Sequence, residues 1–164
     1  MIYNDPMLGE FCLDIDDDLD MPMDWIARVT LPPLSNFENL IEAEPQTSLP
    51  RADRLEAARA WVHHFQGNVA AHDELAEKLL RHYRRVRSIY LESPHLLPRG
   101  VDADLPDITL GSQIWSLVSA ATLHVELRRA KGRRADLSLA MVYDQEHGLV
   151  AAYRDEALIS LEQV

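Results

Sequence analysis

The sequence predicts an α+β fold in which an antiparallel sheet packs against one long kinked helix or two consecutive helices. Two hydrophobic periodicities, in a fixed order along the 164 residues, predict this fold. Residues 11–41 and 123–161 alternate apolar and polar side chains, as half-buried strands do. Residues 51–91 place apolar side chains every three or four positions, as an amphipathic helix does. Strands followed by helices and then by strands are typical of a domain whose helices cover one face of a sheet.

Three strands are predicted in the N-terminal region. Apolar and polar side chains alternate over residues 11–15 and again over residues 25–31, with the acidic stretch 16–23 as the turn between them. Pro32-Pro33 ends the second strand, because proline has no N–H to donate to a strand ladder. A third strand is predicted over residues 37–41.

The helical stripe runs from Leu55 to Tyr90 without losing its phase. One straight helix over residues 51–91 would be about 60 Å long, whereas a compact chain of this size has a diameter of about 40 Å. We therefore expect a break at Gly67 and Asn68, with the glycine in the left-handed conformation that ends many helices. Four large side chains of the stripe are expected to be buried: Val62, Phe65, Leu79 and Tyr83. Four arginines on the opposite side of its second half are expected to complement the acidic N-terminal region: Arg81, Arg84, Arg85 and Arg87.

The C-terminal region is predicted to be a short helix followed by an antiparallel meander. Prolines and a glycine mark residues 93–107 as a loop, and a short helix follows over residues 112–117. The meander is predicted to contain four strands, with a hairpin loop at residues 131–134: 123–128, 137–143, 149–153 and 158–161. The whole chain is expected to form one domain with four regions: an acidic strand region (1–48), a helical region (49–92), a loop (93–110), and the short helix with the meander (111–164).

Almost all of the chain's formal charge of −11 lies in its N-terminal region, since residues 1–48 contain eleven acidic residues and one basic residue. Such a field favours a basic partner and repels nucleic acid and anionic membranes. Six aspartates in this region are predicted to form a partner-binding surface: Asp14, Asp16, Asp17, Asp18, Asp20 and Asp24.

These aspartates do not match a calcium loop. Asp14, Asp16 and Asp18 stand at positions 1, 3 and 5 of an EF-hand, but Leu19 replaces the glycine at position 6 and Trp25 replaces the glutamate at position 12. The seven histidines show no metal-ligand spacing, and the chain has no phosphate-binding glycine loop. Neither a metal nor a cofactor is therefore expected, and a looser Mg²⁺ or Ca²⁺ site on the aspartates is the alternative to a protein-binding surface.

The chain is expected to be cytoplasmic. No stretch has the roughly 18 apolar residues of a membrane span, and the N-terminus lacks the basic and apolar segments of a secretory signal. Cys12 is the chain's single cysteine and is expected to be a reduced thiol.

Residues 143–148 are the segment most suggestive of chemistry. Asp144, Glu146 and His147 could supply a general base and the group that orients it. The structural alternative is favoured, because Asp144 can start a turn through its side chain and Gly148 can adopt a positive φ. The chain is therefore not expected to be an enzyme, and these three residues are expected to extend the partner-binding surface.

Residues 143–149 also carry an aromatic-Asp-x-Glu-His-Gly-Leu pattern, with Tyr143 at the aromatic position. Together with residues 9–13, 24–32 and 79–83, this pattern resembles an uncharacterised bacterial α+β family that is similar to immunity proteins of polymorphic toxin systems. The resemblance implies a protein that binds and neutralises a cognate interbacterial toxin, whose active-site surface is expected to be basic. The alternative is a small hydrolase or ligand-binding enzyme that uses the Asp144, Glu146 and His147 hairpin.

Overall fold

A computed structural model describes residues 1–16, 21–43, 49–97, 99–128 and 132–164. Among these residues, eight strands form one sheet whose strand order is the same as their order in the chain. The strands are β1 (Ile2–Asp5), β2 (Gly9–Asp16), β3 (Met21–Leu31), β4 (Leu34–Glu42), β5 (Val118–Arg128), β6 (Gly132–Met141), β7 (Asp144–Arg154) and β8 (Ala157–Gln163). The predicted α+β class is thus confirmed as a mostly antiparallel sheet with helices.

Neighbouring strands are antiparallel except for β4 and β5. This parallel pair runs from Phe37 opposite Ala121 to Leu40 opposite His124. Parallel neighbours need a long crossover connection, and the helical region of the chain supplies it. Two hairpin-built halves, β1–β4 and β5–β8, are therefore joined edge to edge into one sheet.

The crossover contains two long helices, α1 (Ala52–Gly67) and α2 (Val69–Glu92). The predicted break occurs at Asn68, an extended residue that caps α2 by accepting a hydrogen bond from the Ala71 N–H at 3.3 Å. The predicted left-handed Gly67 is wrong: this residue belongs to α1 and its φ is not positive. The Asn68 side chain satisfies a backbone N–H group at the start of α2, so the two helices are separated without a glycine in the left-handed conformation.

Shorter helical elements complete the crossover. They are a 3₁₀ turn over Pro94–Leu96, α3 (Val101–Asp104) and a 3₁₀ helix over Gly111–Leu117. The segment predicted as a loop thus contains two of these turns. Arg84 and Arg87 hydrogen-bond the carbonyl oxygens of Thr109 and Leu105, at 2.9 and 3.0 Å. The described contacts of these two arginines therefore lie within the crossover and not in the acidic region, which corrects the prediction for Arg84 and Arg87.

The main core lies between the sheet and α1. Trp61 of α1 stacks on Phe65, with ring centroids 4.9 Å apart, and on Phe37 of β4, at 6.0 Å. Its ring also meets the ring of Tyr153 in β7 edge to face, at 5.5 Å. The four stripe residues predicted to be buried are each no more than 2% exposed, which confirms that prediction: Val62, Phe65, Leu79 and Tyr83.

A buried carboxylate ties the β1–β2 hairpin to α1. Asp5 accepts hydrogen bonds from the backbone N–H groups of Met7 (3.0 Å) and Leu8 (2.9 Å), and its other oxygen pairs with the Arg59 guanidinium. Gly9 follows with φ +87°, and a Cβ atom at this position would lie 2.6 Å from the Val29 side chain. Only glycine satisfies both conditions without strain.

Candidate functional site

The outer side of strands β2, β3 and β4 is not covered by the helices. Residues whose side chains point inward, such as Phe11, Ala27 and Phe37, are buried. Their neighbours along each strand point to the other side, and there the described side chains are exposed or half-buried. This outer side therefore offers a broad surface to a partner.

Acidic side chains dominate that surface. Five carboxylates project from the three strands, and we call them the acidic face: Glu10, Asp14, Asp24, Glu38 and Glu42. Asp24 lies directly opposite Glu42, and Arg28 lies opposite Glu38. Arg28 is the one basic residue among the described outer residues of these strands, and its Nε donates to Glu38 at 2.6 Å.

Only part of this negative charge is neutralised from within the molecule. Arg54 of α1 approaches the Glu42 carboxylate to 3.6 Å at the end of β4. Glu42 remains 68% exposed, so its charge still acts on solvent and on any partner. The Asp14 and Asp24 carboxylates lie farther along the same end of the sheet.

The pKa of Asp24 is raised from its usual value. Burial is the largest cause, and the negative charges of Glu42 and Asp14 add to it, whereas His124 on β5 opposes it. A raised pKa means that ionised Asp24 is less stable here than in water. At neutral pH this carboxylate therefore destabilises the folded chain, which is a common property of functional sites.

An apolar row crosses the middle of the surface. Cys12, Ile26 and Leu40 lie opposite one another on β2, β3 and β4. A concavity of about 370 Å³ lies over the first two of these strands. Its lining combines apolar groups with charged residues: Glu10, Cys12, Leu13, Asp14, Ile26 and Arg28.

The structure places some of the predicted partner residues on this surface. Asp14 and Asp24 belong to the acidic face, and Asp16 ends β2. The predictions for Asp17, Asp18 and Asp20, and for the side chain of Asp16, fall outside what the structure describes. Glu10, Glu38 and Glu42 were not predicted as partner residues, because each is isolated in sequence and only the strand register brings them together.

The second predicted site is the β6–β7 hairpin, where Asp144 organises the turn. Its Oδ1 accepts a hydrogen bond from the His147 backbone N–H at 3.0 Å and lies 3.2 Å from His147 Nδ1. Its Oδ2 accepts a hydrogen bond from Gln163 of β8 at 3.2 Å. The predicted structural role of Asp144 is thus visible in its contacts, and the side chain of Glu146 falls outside the described part of the chain.

Gly148 does not have the predicted positive φ, so that prediction is wrong. Gly148 belongs to β7, in the stretch between Asp144 and Leu149 where the pairing with β6 is irregular. A Cβ atom here would lie 3.4 Å from the Leu139 carbonyl oxygen. A larger residue at this position would therefore be crowded by the neighbouring strand β6. It would not strain the backbone, because no positive φ is required.

The hairpin and the acidic face are separate surfaces. Strand β5 lies between β4 of the acidic face and β6 of the hairpin, which corresponds to about 10 Å between β4 and β6 at the usual strand spacing. The hairpin also follows Met141, opposite Val118 at the start of β5, whereas Glu42 follows Leu40, opposite His124 farther along β5. His82 of α2 lies near the hairpin, and its pKa is lowered by burial and by Arg85, while Asp144 opposes this. The structure therefore does not unite the predicted site residues into one patch.

Among the described residues, no group of three or more His, Cys, Asp or Glu side chains is arranged to hold a metal ion. His147 presents 54% of its side chain to solvent on the hairpin surface. None of the described helices combines the length and the hydropathy that crossing a membrane requires.

Replacing the turn-forming carboxylate tests the role of the hairpin. We expect Asp144→Ala to lower the free energy of unfolding by about 1–2 kcal/mol, because the His147 N–H loses its acceptor and the link to Gln163 is lost. Urea denaturation measures this effect, with the exposed Asp73→Ala as the matched control. Wild-type stability in the Asp144 variant would show that the turn does not depend on this side chain.

Comparison with known proteins gives one family match. The family model described as "Domain of unknown function (DUF6985)" matches residues 14–163. Neither the curated proteins nor the solved structures give a significant match. The matched range includes most of the acidic face and the whole β6–β7 hairpin.

Proposed function

The chain belongs to the DUF6985 family, and we propose that it is an immunity protein that binds and neutralises a cognate interbacterial toxin. The acidic face is proposed to dock on a basic surface around the active site of the toxin. The observation that carries this proposal is an uncovered sheet surface on which five carboxylates surround an apolar row. The resemblance of residues 143–149 to a family similar to immunity proteins supplies the biological context.

Charge supports a basic partner. Residues 1–48 carry a net charge of −10, and Arg28 is the one described base on the outer surface of β2–β4. A concentrated negative field steers a positively charged protein toward the surface and raises its association rate. A toxin that acts on nucleic acid needs a positive cleft, and such a cleft complements the acidic face.

The composition of the surface supports a protein partner in particular. Ile26 and Leu40 lie half-buried within the acidic face, and protein interfaces commonly combine an apolar centre with a polar rim. The raised pKa of Asp24 also supports a binding role, because residues selected for binding often reduce the stability of the free protein. Binding to a cation would relieve the repulsion among Asp14, Asp24 and Glu42.

In this proposal the protein acts without catalysis and in the cytoplasm, where it would cover the active site of the toxin. The β6–β7 hairpin contributes rigidity, and residues Asp144, Glu146 and His147 form a second, smaller contact. Neither a metal nor a cofactor takes part.

A hydrolase is the second candidate function, and the contact between Asp144 and His147 is the observation that favours it. A carboxylate 3.2 Å from a histidine Nδ1 can orient the imidazole as a general base. His147→Ala separates the two functions: it would abolish turnover in an enzyme, whereas in an immunity protein it would only weaken toxin binding, because it removes part of the second, smaller contact.

Association kinetics test the proposed function. Association with the proposed cognate toxin is measured at low and at physiological salt. We expect Asp14→Asn/Asp24→Asn/Glu42→Gln to slow association by at least about tenfold at low salt, because local steering is lost. The matched control, Asp73→Asn/Glu77→Gln/Glu92→Gln, removes the same charge from exposed positions of α2 and should retain most of the wild-type rate.

The stability of both triple variants is a necessary part of this test. The acidic-face variant should be at least as stable as wild type at pH 7, since a carboxylate with a raised pKa destabilises the fold when ionised. Equal association rates for the two triple variants would contradict docking on the acidic face.

A further inference from the structure

We propose that the acidic face receives a basic amphipathic segment of its partner, with one apolar side chain of that segment inserted over Cys12 and Ile26. This inference rests on the proposed function and deepens it by naming the shape and chemistry of the docking element. It follows from the order in which strand register places charged and apolar side chains across the surface.

Register arranges the outer side chains of the sheet in rows that cross the strands. The central row contains Cys12, Ile26 and Leu40 and continues to His124 on β5. A flanking row lies two residues along the strands in one direction, where Asp24 lies opposite Glu42. Asp14 lies next to Asp24, because the preceding residue Leu13 pairs with Trp25.

The other flanking row lies two residues away in the opposite direction. It contains Arg28 opposite Glu38, and Glu10 lies next to Arg28 because its neighbour Phe11 pairs with Ala27. An apolar row therefore has carboxylates on both sides. One flank, with Asp14, Asp24 and Glu42, is more negative than the other, where the Arg28 guanidinium pairs with Glu38.

The dimensions of these rows match a helix. Residues two apart on a strand are about 7 Å apart, so the two charged rows are separated by about 14 Å. A helix with its side chains is about 10–12 Å wide, and lysine or arginine side chains can extend from both its sides toward the flanking carboxylates. From β2 to β5 the central row is about 14 Å long, which corresponds to two to three helical turns.

The concavity provides the place for an apolar anchor. Its volume of about 370 Å³ and its lining by Cys12, Leu13 and Ile26 can accept one large aliphatic or aromatic side chain. Glu10, Asp14 and Arg28 border the same space. A basic side chain next to the apolar anchor of the partner would therefore contact Asp14. A purely cationic and unstructured segment would instead leave the apolar lining of the concavity exposed to solvent.

Two synthetic peptides of identical composition test this inference. The first is a 14-residue helical peptide, a length of about four turns, with leucines along one face and lysines on both flanks. The second contains the same residues reordered so that the leucines do not share a face. Fluorescence anisotropy at physiological salt measures their affinities for the full chain, and we expect the amphipathic peptide to bind about tenfold more tightly.

Substitutions in the apolar row then locate the binding. Ile26→Ser/Leu40→Ser should remove most of the preference for the amphipathic peptide. Val150→Ser, at a half-buried position on β7, is the matched control and should retain the preference. Circular dichroism and thermal melting establish that each variant is folded.

The outcomes separate this inference from the proposed function. Equal affinities for the two peptides, a preference that survives Ile26→Ser/Leu40→Ser, or no binding of either peptide would each overturn the amphipathic segment. The proposed function is tested independently, by the association kinetics of the toxin. If toxin binding depends on Asp14, Asp24 and Glu42, the proposed function is supported whatever the peptides show.

Discussion

Phe65→Ala is expected to lower the free energy of unfolding by about 3–5 kcal/mol. Phe65 is completely buried, and its ring lies between Trp61, at 4.9 Å, and His72, at 4.2 Å, measured between ring centroids. Truncation would remove both ring contacts and leave a cavity near the end of α1. His72 makes a second contact with Phe65, since its Nε2 lies 2.5 Å from the Phe65 carbonyl oxygen. This contact holds the imidazole ring in place beside the cavity.

Chemical denaturation of wild type and variant measures this loss. Gln66→Ala is the matched control, because it lies next to Phe65 on the exposed side of α1 and should change stability by less than about 0.5 kcal/mol. A loss of less than about 1 kcal/mol for Phe65→Ala would contradict the packing of α1 on the sheet.

Asp5→Ala is expected to lower stability by about 3 kcal/mol at pH 7, because it leaves the Arg59 charge and two backbone N–H groups without their acceptor. Burial alone would raise the pKa of Asp5, but the hydrogen bonds from Arg59, Leu8 and Met7 outweigh it and lower the pKa below 3.8. A carboxyl group with a lowered pKa contributes stability above its unfolded pKa and loses that contribution as the pH falls.

The difference in stability between wild type and Asp5→Ala should therefore be greatest at neutral pH and should decrease below about pH 4. Denaturation curves from pH 7 to pH 3 measure it, and Asp73→Ala provides an exposed carboxylate for comparison. A difference that stays constant over this range would show that ionised Asp5 does not stabilise the hairpin.

Local periodicity predicted most elements of this fold. Alternating side chains located strands β2 to β8, and the helical stripe located α1, α2 and the four side chains predicted to be buried. The stripe also included Val69, which is exposed, and did not include the buried Trp61. The four-residue strand β1 is too short to show a period of two, so it is not predicted. The parallel pairing of β4 with β5 is a tertiary contact between residues about 84 positions apart, and no local pattern encodes it.

The candidate site was predictable only in part, because strand pairing between distant residues also determines which side chains it contains. The density of aspartates near Asp14 identified the acidic region. Glu38 and Glu42 join it through pairing with β3, which sequence spacing does not reveal. Gly148 was assigned a positive φ from its position after a turn-forming aspartate. The hydrogen bond from the His147 N–H to Asp144 closes before Gly148, which lies within β7 without a positive φ.

The reactivity of Cys12 most directly tests whether the acidic face is the partner surface. Cys12 is the chain's single cysteine and is exposed at the centre of that surface. The measurement is its rate of alkylation by a maleimide, alone and in a purified complex with the proposed cognate toxin. Cys12→Ser/Glu77→Cys provides a control thiol on the exposed side of α2.

We predict that the toxin slows alkylation of Cys12 at least about tenfold, because docking on the acidic face covers the thiol and excludes solvent from it. The control thiol at position 77 should react at the same rate in the free protein and in the complex. An unchanged rate at Cys12 in a complex of verified stoichiometry would contradict the account, because the toxin would then bind elsewhere.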